Sequence, residues 1–458
     1  MTELLGLRTW LNENLPELAR RYGVPGAAVG VLADDQVVEA ATGELNLRTG
    51  VPTTTDSLFQ IGSVTKLWTS TLVMQLVEEG LVELDAAVTR YLPDFRLAEE
   101  RAGADITVRQ LLTHTSGICG DAFVPTTRDE DAVGRYVDDV VPTLSRDVPS
   151  GEGMSYSNSG FAVLGRIVEV VRAKSFPRLL REHIGTPLGL RHWAPTPEEA
   201  LLHRTAVGHV PGRGGTPEPA SFWNLPASLA PAGTVLAMAP RELLAFAGAY
   251  LDGGGKLLDA ATVERMWRPR VPVPDIGMLG GHLGLGWMVL DWNGHRVLGH
   301  DGGTYGQSCC LRVLPETGIA LASHANGGEN AAFHHELVAR VVDRLVGLRP
   351  SPLPTPPERP GEVDPERFAG RFDSSTMSLE VTVRPDGSAV ARSEALTAEA
   401  RQLQPEPRVT ELVRLDDDRL ISTGRLFGAH EVLAFSGGGP GRPATHLFHA
   451  GRLTRRTA

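Results

Sequence analysis

Lysine is nearly absent from this chain of 458 residues: there are three (Lys66, Lys174 and Lys256) against 41 arginines. A sequence that meets almost every need for a cation with arginine has a reason for each exception. Arginine keeps its proton in any protein environment, whereas a buried lysine can lose it. Lys66, in the stretch IGSVTKLWTS, is therefore a candidate for an amine that has to titrate. Cysteine is scarce as well. Cys119, Cys309 and Cys310 are odd in number and two are adjacent, so no disulfide framework is implied. No apolar run approaches ~18 residues, so no membrane span is expected. The opening MTELLGLRTWLNENLPELARRYGVPG has no charged segment followed by an apolar one and a small-residue cleavage site. Positive charge is in deficit overall: the net charge of -11 argues against binding a phosphate backbone. The expectation is a cytoplasmic protein whose partners are neither nucleic acid nor membrane.

What is present is ordinary globular sequence, 41% hydrophobic and 22% charged, long enough for two or three cores. Residues 3–22 read as an amphipathic helix. Residues 27–43 read as two strands around an Asp34-Asp35 turn. Helical stretches then alternate with short strands. Late strands in RVLGHDGG and QSCCLRVLPETGIALASHAN precede a closing helix at 331–348. Strands first, helices in the middle and strands last predict one α+β domain over 1–348 whose termini meet in one sheet. Residues 349–365, RPSPLPTPPERPGEVDP, are dense in proline and predict a stiff linker. Beyond it, alternating Leu379, Val381 and Val383 before Pro385-Asp386-Gly387 predict an antiparallel β domain over 366–458, barrel-like in form.

Three short stretches can carry chemistry. Ser63 and Lys66 are one helical turn apart and share a face. LWTSTLVMQLVEEG after them is apolar nearly all round, as a buried helix is. A serine at the start of such a helix sits where backbone N–H groups bind an oxyanion, and a neutral lysine can take its proton. A serine N-cap with a solvated lysine fits the same spacing. In GEGMSYSNSGFAVLG, Tyr156 and Asn158 share a side if the segment is extended. A phenol relays protons, and an amide orients a lysine or a carbonyl; a polar surface turn is the plainer reading. In LGHDGGTYG, glycines permit close approach of a substrate backbone, which makes Gly302 a substrate-binding candidate. The Gly303 N–H is a candidate second oxyanion donor beside that of Ser63, and His300 a partner for a carboxylate or the tyrosine. A glycine-rich hairpin explains this stretch equally.

In order and type together, these pieces resemble the serine β-lactamase and penicillin-binding-protein family, in the branch with Tyr-x-Asn in the middle and His-x-Gly at the end. That branch holds class C β-lactamases, D-alanyl-D-alanine carboxypeptidases, D-aminopeptidases and related esterases. LLTHTSGI (111–118) is similar to the family's segment between the first two motifs. The resemblance covers residues 3 to about 348. It implies a β-lactamase/transpeptidase-like fold, an acylated Ser63, a base role shared by Lys66 and Tyr156, and an Asn158 that positions the acyl group. His300 stands where the family's third motif has lysine, so the cation that would hold a penicillin carboxylate is missing unless His300 is protonated. His114 is read as structural. Adjacent histidines in FHHE face different ways, so a solvated helix outweighs a metal site, and no metal or cofactor is expected.

The chain is most similar to stand-alone penicillin-binding-protein-type thioesterases, which carry a single lipocalin-like C-terminal domain. This resemblance implies a peptidyl thioester substrate on a synthetase carrier protein, a D-configured acylating residue, and release by macrocyclisation. The alternative is a hydrolase of the same fold: a D-amino-acid amidase, D-peptidase or carboxylesterase. A catalytically dead binding protein is the third reading, against which the intact Ser63, Lys66, Tyr156 and Asn158 argue. In the basic end HLFHAGRLTRRTA, Arg452 is a candidate for binding a peptide chain end or a carrier phosphate; a solvated tail is the alternative.

Overall fold

The hairpin at the start of the chain turns on Asp34 and Asp35, both left-handed with φ of 50° and 57°. A two-residue hairpin requires that conformation, and aspartate tolerates it. The turn joins strand Gly26–Ala33 to Gln36–Asn46, in register from Gly26 opposite Gly43 to Ala33 opposite Gln36. The other edge of Gly26–Ala33 pairs antiparallel with Ile319–Ala325. The first and last strands of this sheet in chain order are thus neighbours. The computed structural model describes residues 2–99, 103–439 and 441–458. In it the nine-stranded sheet continues from Ile319–Ala325 through Ser308–Leu314, His295–Gly303 and Met288–Trp292 to two short edge strands.

Gly26–Ala33 is buried on both faces, which explains why it reads as an unbroken apolar run. One face carries the helices Thr2–Arg21 and Asn330–Val346, packed through Leu7, Leu11, Leu15, Phe333 and Leu337. The other carries the helical region, whose core includes Trp68, Phe246 and Trp287. Its central helix, Thr65–Glu78, is buried without interruption from Thr65 to Leu76 and is entered through a single 3-10 turn, Gly62–Val64. A second helix, Asn158–Arg172, starts where the Ser157 hydroxyl accepts the Gly160 N–H at 3.0 Å.

No helix or strand occurs from 347 to 364. Eight antiparallel strands between Gly370 and Arg456 then close into a barrel, filled by Phe368, Phe372, Leu412, Leu420, Phe435 and Leu447. The closing strand is Arg452–Arg456, so the basic end of the chain is not a solvated tail. The barrel docks on the larger unit through a shared apolar cluster, in which Val148, Met154, Tyr156 and Met288 meet Ile421, Val432, Phe448 and Leu453. Polar clamps surround it. Asp147 accepts the Ser375 N–H at 2.8 Å and its hydroxyl at 2.7 Å, and Arg455 pairs with Glu152 at 2.6 Å.

The helix with FHHE departs from expectation. His334 is buried, not solvated: its two ring nitrogens lie 2.9 Å from the Ser308 hydroxyl and 2.8 Å from the Ser323 hydroxyl. Both nitrogens are spent on serines, and the ring bolts the helix to the sheet. Among the described residues no helix is long and apolar enough to cross a membrane.

The Asp147 clamp has a measurable weight. Asp147→Ala removes a charged acceptor of two hydrogen bonds and is expected to lower stability by about 2 kcal/mol. Urea unfolding checks this, and Ser375→Ala added to it should cost less than the first change, since of the Ser375 hydroxyl's contacts only that to Ser145 at 2.7 Å is then left to lose.

Candidate active site

Lys66 projects from the first turn of the buried helix and is itself fully buried. Its Nζ lies 3.1 Å from Ser63 Oγ, 2.7 Å from Asn158 Oδ1 and 2.7 Å from the Ala232 carbonyl. Two of these neighbours are fixed acceptors. A neutral amine has two N–H groups and one lone pair. The N–H groups satisfy Asn158 and Ala232, and the lone pair is left for the Ser63 hydroxyl. The surroundings favour that state: burial holds the amine well below its ordinary range, with Arg452 adding to the effect and Asp121 opposing it. An arrangement of serine hydroxyl on unprotonated lysine is that of an activated nucleophile.

Tyr156 and Asn158 straddle the start of their helix. Ser157 between them is extended, with φ -127° and ψ 113°, and Asn158 is the first helical residue. The Lys66 Nζ is 4.7 Å from the Tyr156 ring centroid. The phenol oxygen is buried beside Ser63 but lacks a partner in full hydrogen-bond geometry. Burial raises its pKa, against a smaller lowering by Ser63. Its other neighbours are imidazoles. His114 stacks on the ring at 4.2 Å and accepts the Ser157 N–H at 3.0 Å through Nδ1. Burial keeps His114 neutral. It is therefore part of the wall that fixes Tyr156.

The strand His295–Gly303 brings its glycines against the turn that holds Ser63. A Cβ at Gly302 would sit 1.9 Å from the Ile61 carbonyl oxygen, and one at Gly62, where φ is +53°, would sit 2.5 Å from the Gly303 nitrogen. Only glycine permits this approach. A Cβ at Gly303, by contrast, would meet nothing within 4 Å, so open space lies beside the nitrogen expected to donate to an oxyanion. Ser63 is in the first helical turn, where backbone N–H groups lack intrahelical acceptors. His300 lies 6.2 Å from the Tyr156 ring. Its Nδ1 is 2.6 Å from the Asp301 carbonyl, which can only accept, so Nδ1 bears the proton and Nε2 is an acceptor. Burial brings His300 down to about 4, so near neutral pH it supplies no cation for a carboxylate. Asp301 is held ionised by Arg312 at 2.7 and 3.0 Å.

Arg452 also reaches this centre, from the barrel. Its guanidinium is 5.0 Å from the Tyr156 ring centroid and binds both oxygens of Asp121, at 2.9 and 2.5 Å. The group expected to receive a peptide end is thus already paired. Asp121 itself, the Ala232 carbonyl and Gly62 were not singled out from sequence. The Pro231-Ala232-Gly233 turn carried a local signal; Asp121 in ICGDAF carried none.

Lys66→Arg tests the lone-pair argument directly. Arginine retains the charge, cannot deprotonate and has no lone pair for Ser63. The variant is expected to fold and to lose acylation of Ser63 by at least about a hundredfold, read by intact-protein mass spectrometry with an activated ester.

Comparison with known proteins bears on the family and the fold. A family model described as Beta-lactamase matches residues 11–344. Penicillin-binding protein 4 of Amycolatopsis lactamdurans is 39% identical over 368 residues, 79% of this chain and 96% of that protein. The crystal structure of SurE matches 98% of this chain and 99% of its own, with a TM-score of 0.74 and 28% identity; a second structure holds SurE with D-Leu. The D-amino acid amidase from Ochrobactrum anthropi SV3, complexed with D-phenylalanine, covers 75% of this chain and 98% of its own, with a TM-score of 0.63 and 26% identity. By the extent of the family match and by the relative that shares it, the chain belongs to the beta-lactamase family, the serine acyl-transfer group that also contains penicillin-binding proteins.

Proposed function

We propose that this enzyme is a trans-acting thioesterase that takes a peptidyl thioester with a D-configured C-terminal residue and releases it as a macrocycle. The observation that carries this reading is the second domain's part in the site. The Tyr156 N–H donates to the Gly451 carbonyl at 2.8 Å and the Leu453 N–H to the Ser155 hydroxyl at 3.2 Å. The barrel thereby walls one side of the reaction centre. A simple hydrolase needs water at its acyl-enzyme; a cyclase benefits from a wall that keeps water out and folds the chain back. The D-Leu complex of SurE, which matches both domains, supports the D-configured residue.

The chemistry follows from the geometry. Ser63 Oγ attacks the thioester carbonyl as its proton passes to the Lys66 amine. The oxyanion is received by the N–H groups of Ser63 and Gly303. The carbonyl re-forms, the carrier thiolate leaves and takes the proton, and an acyl-Ser63 ester remains. The peptide's own N-terminal amine attacks this ester, gives up its extra proton through the same amine, and Ser63 regains its hydrogen. Asn158 holds Lys66 and the acyl group in place. Gly302 leaves room for the substrate backbone. Tyr156 is a second route for the proton. Such an enzyme works in the cytoplasm, beside a synthetase and its carrier protein.

Water as the attacking group is the second reading, favoured by the likeness to D-amino acid amidase. A linear peptide thioester ending in a D-residue, incubated with the enzyme and with Ser63→Ala, separates the two. Mass spectrometry is expected to show loss of the thiol with no water gained, and no product from Ser63→Ala. Loss of the thiol with one water gained would make the enzyme a hydrolase.

A further inference from the structure

The Asp121–Arg452 pair is one buried-edge ion pair that joins the two domains inside the site. The side chains retain 26% and 28% of their exposure, Arg452 first. Its links run in both directions. Asp121 Oδ1 accepts the Asn158 amide at 3.5 Å, and Asn158 Oδ1 in turn accepts from Lys66 at 2.7 Å. Arg452 lies over the same ring as Lys66, at 5.0 Å against 4.7 Å. Arg452 also donates to the Ala450 carbonyl at 2.8 Å, which fixes its stem to the hairpin tip. Two of its three nitrogens are thus taken by Asp121 and the third by the turn that precedes its strand. A group so committed is built to stay where it is.

We propose that Arg452 is a positioning residue of acyl transfer, delivered by the barrel, whose fixed charge faces Lys66 across the Tyr156 ring and adds to the effect of burial there, while Asp121 anchors and counterweights it. This rests on acyl transfer at Ser63 and not on whether an amine or water completes the reaction. Two cations facing one ring repel, and the one that can shed its proton does so. Arg452 cannot, so its charge falls on Lys66 and adds to burial, which is the larger cause. The other groups around them do not compensate. His114 and His300 are neutral by burial, Asp301 is neutralised by Arg312, and burial holds the Cys119 thiol up to about 12. Arg452 and Asp121 are the charges that act on Lys66, with opposite signs. Arg452 also favours the ionised phenol of Tyr156 and Asp121 opposes it, so both candidate bases respond in the same sense.

The opposition of signs makes the test. Acylation of Ser63 by a small activated ester is followed by mass spectrometry across pH, which needs no cyclisation. Removing the positive charge in Arg452→Gln leaves Asp121 alone to attract a proton, so the acidic limb of the rate profile is expected to move up by about one pH unit or more. Asp121→Asn leaves Arg452 unopposed and should move the limb down. Arg452→Lys should hold the limb near its original place, and the Asp121→Asn/Arg452→Gln pair should return it most of the way. The ester concentration at half-saturation should change less than about threefold throughout. Limbs that do not move in folded variants, or that move the same way in both single variants, overturn the proposal. So does a change confined to half-saturation, which would make Arg452 a substrate contact. Should Arg452→Gln fail to fold, Asp121→Asn and the paired variant carry the same decision.

Discussion

An amine buried among three oxygens and two aromatic rings is the constraint on which the rest of the structure depends. Among the described residues Lys66 has no ion-pair partner, and its burial is complete. A charged ammonium there would be costly, and a neutral one is a base. Everything near it serves to keep that balance. The helix Thr65–Glu78 removes solvent, Asn158 and Ala232 take the two N–H groups, and the nearby imidazoles are kept neutral. A chain with so few lysines spends one of them where arginine's permanence would be fatal to the chemistry.

The second constraint is geometric. The sheet must bring a strand edge to within contact of the Ser63 turn, and side chains would prevent it. Glycines at 62 and 302 clear that space, and their close approach is what makes a pocket of backbone N–H groups conceivable at all. The strand is held at this depth from behind. Asp301 and Arg312 bridge it to its neighbour, and His334 pins the following hairpin to a helix through Ser308. Polar groups buried far from the reaction thus act on it through the position of one strand.

Much of the fold was legible in the sequence because it rests on local rules. The Asp34-Asp35 hairpin, the alternation of Leu379, Val381 and Val383, and the closing helix all follow from spacing within a dozen residues. The one-turn separation of Ser63 and Lys66 is likewise local, and their contact is as close as the spacing implies. What was not legible depends on distant partners. Nothing near Asp121 says that it meets Arg452, 331 positions away. Nothing in FHHE says that one histidine turns inward to two serines of separate strands. The basic end looked like a solvated tail because charge density marks exposure on average, yet here it forms the last strand of a closed sheet. Amphipathic arginine stems lie along apolar surface while their heads find acceptors.

The barrel's final strand also sets a schedule. Arg452 opens the strand Arg452–Arg456, which is paired with Gly370–Asp373 and with His446–His449. The nucleophile's helix, by contrast, is made early in synthesis, and its sheet closes only when the strands around 295–325 arrive. Pairings across such separations form late, after the local helices. A chain still leaving the ribosome therefore carries its serine without the surroundings that arm it. Reactivity at Ser63 is then a property of the finished molecule, and half-made chains are spared premature acylation.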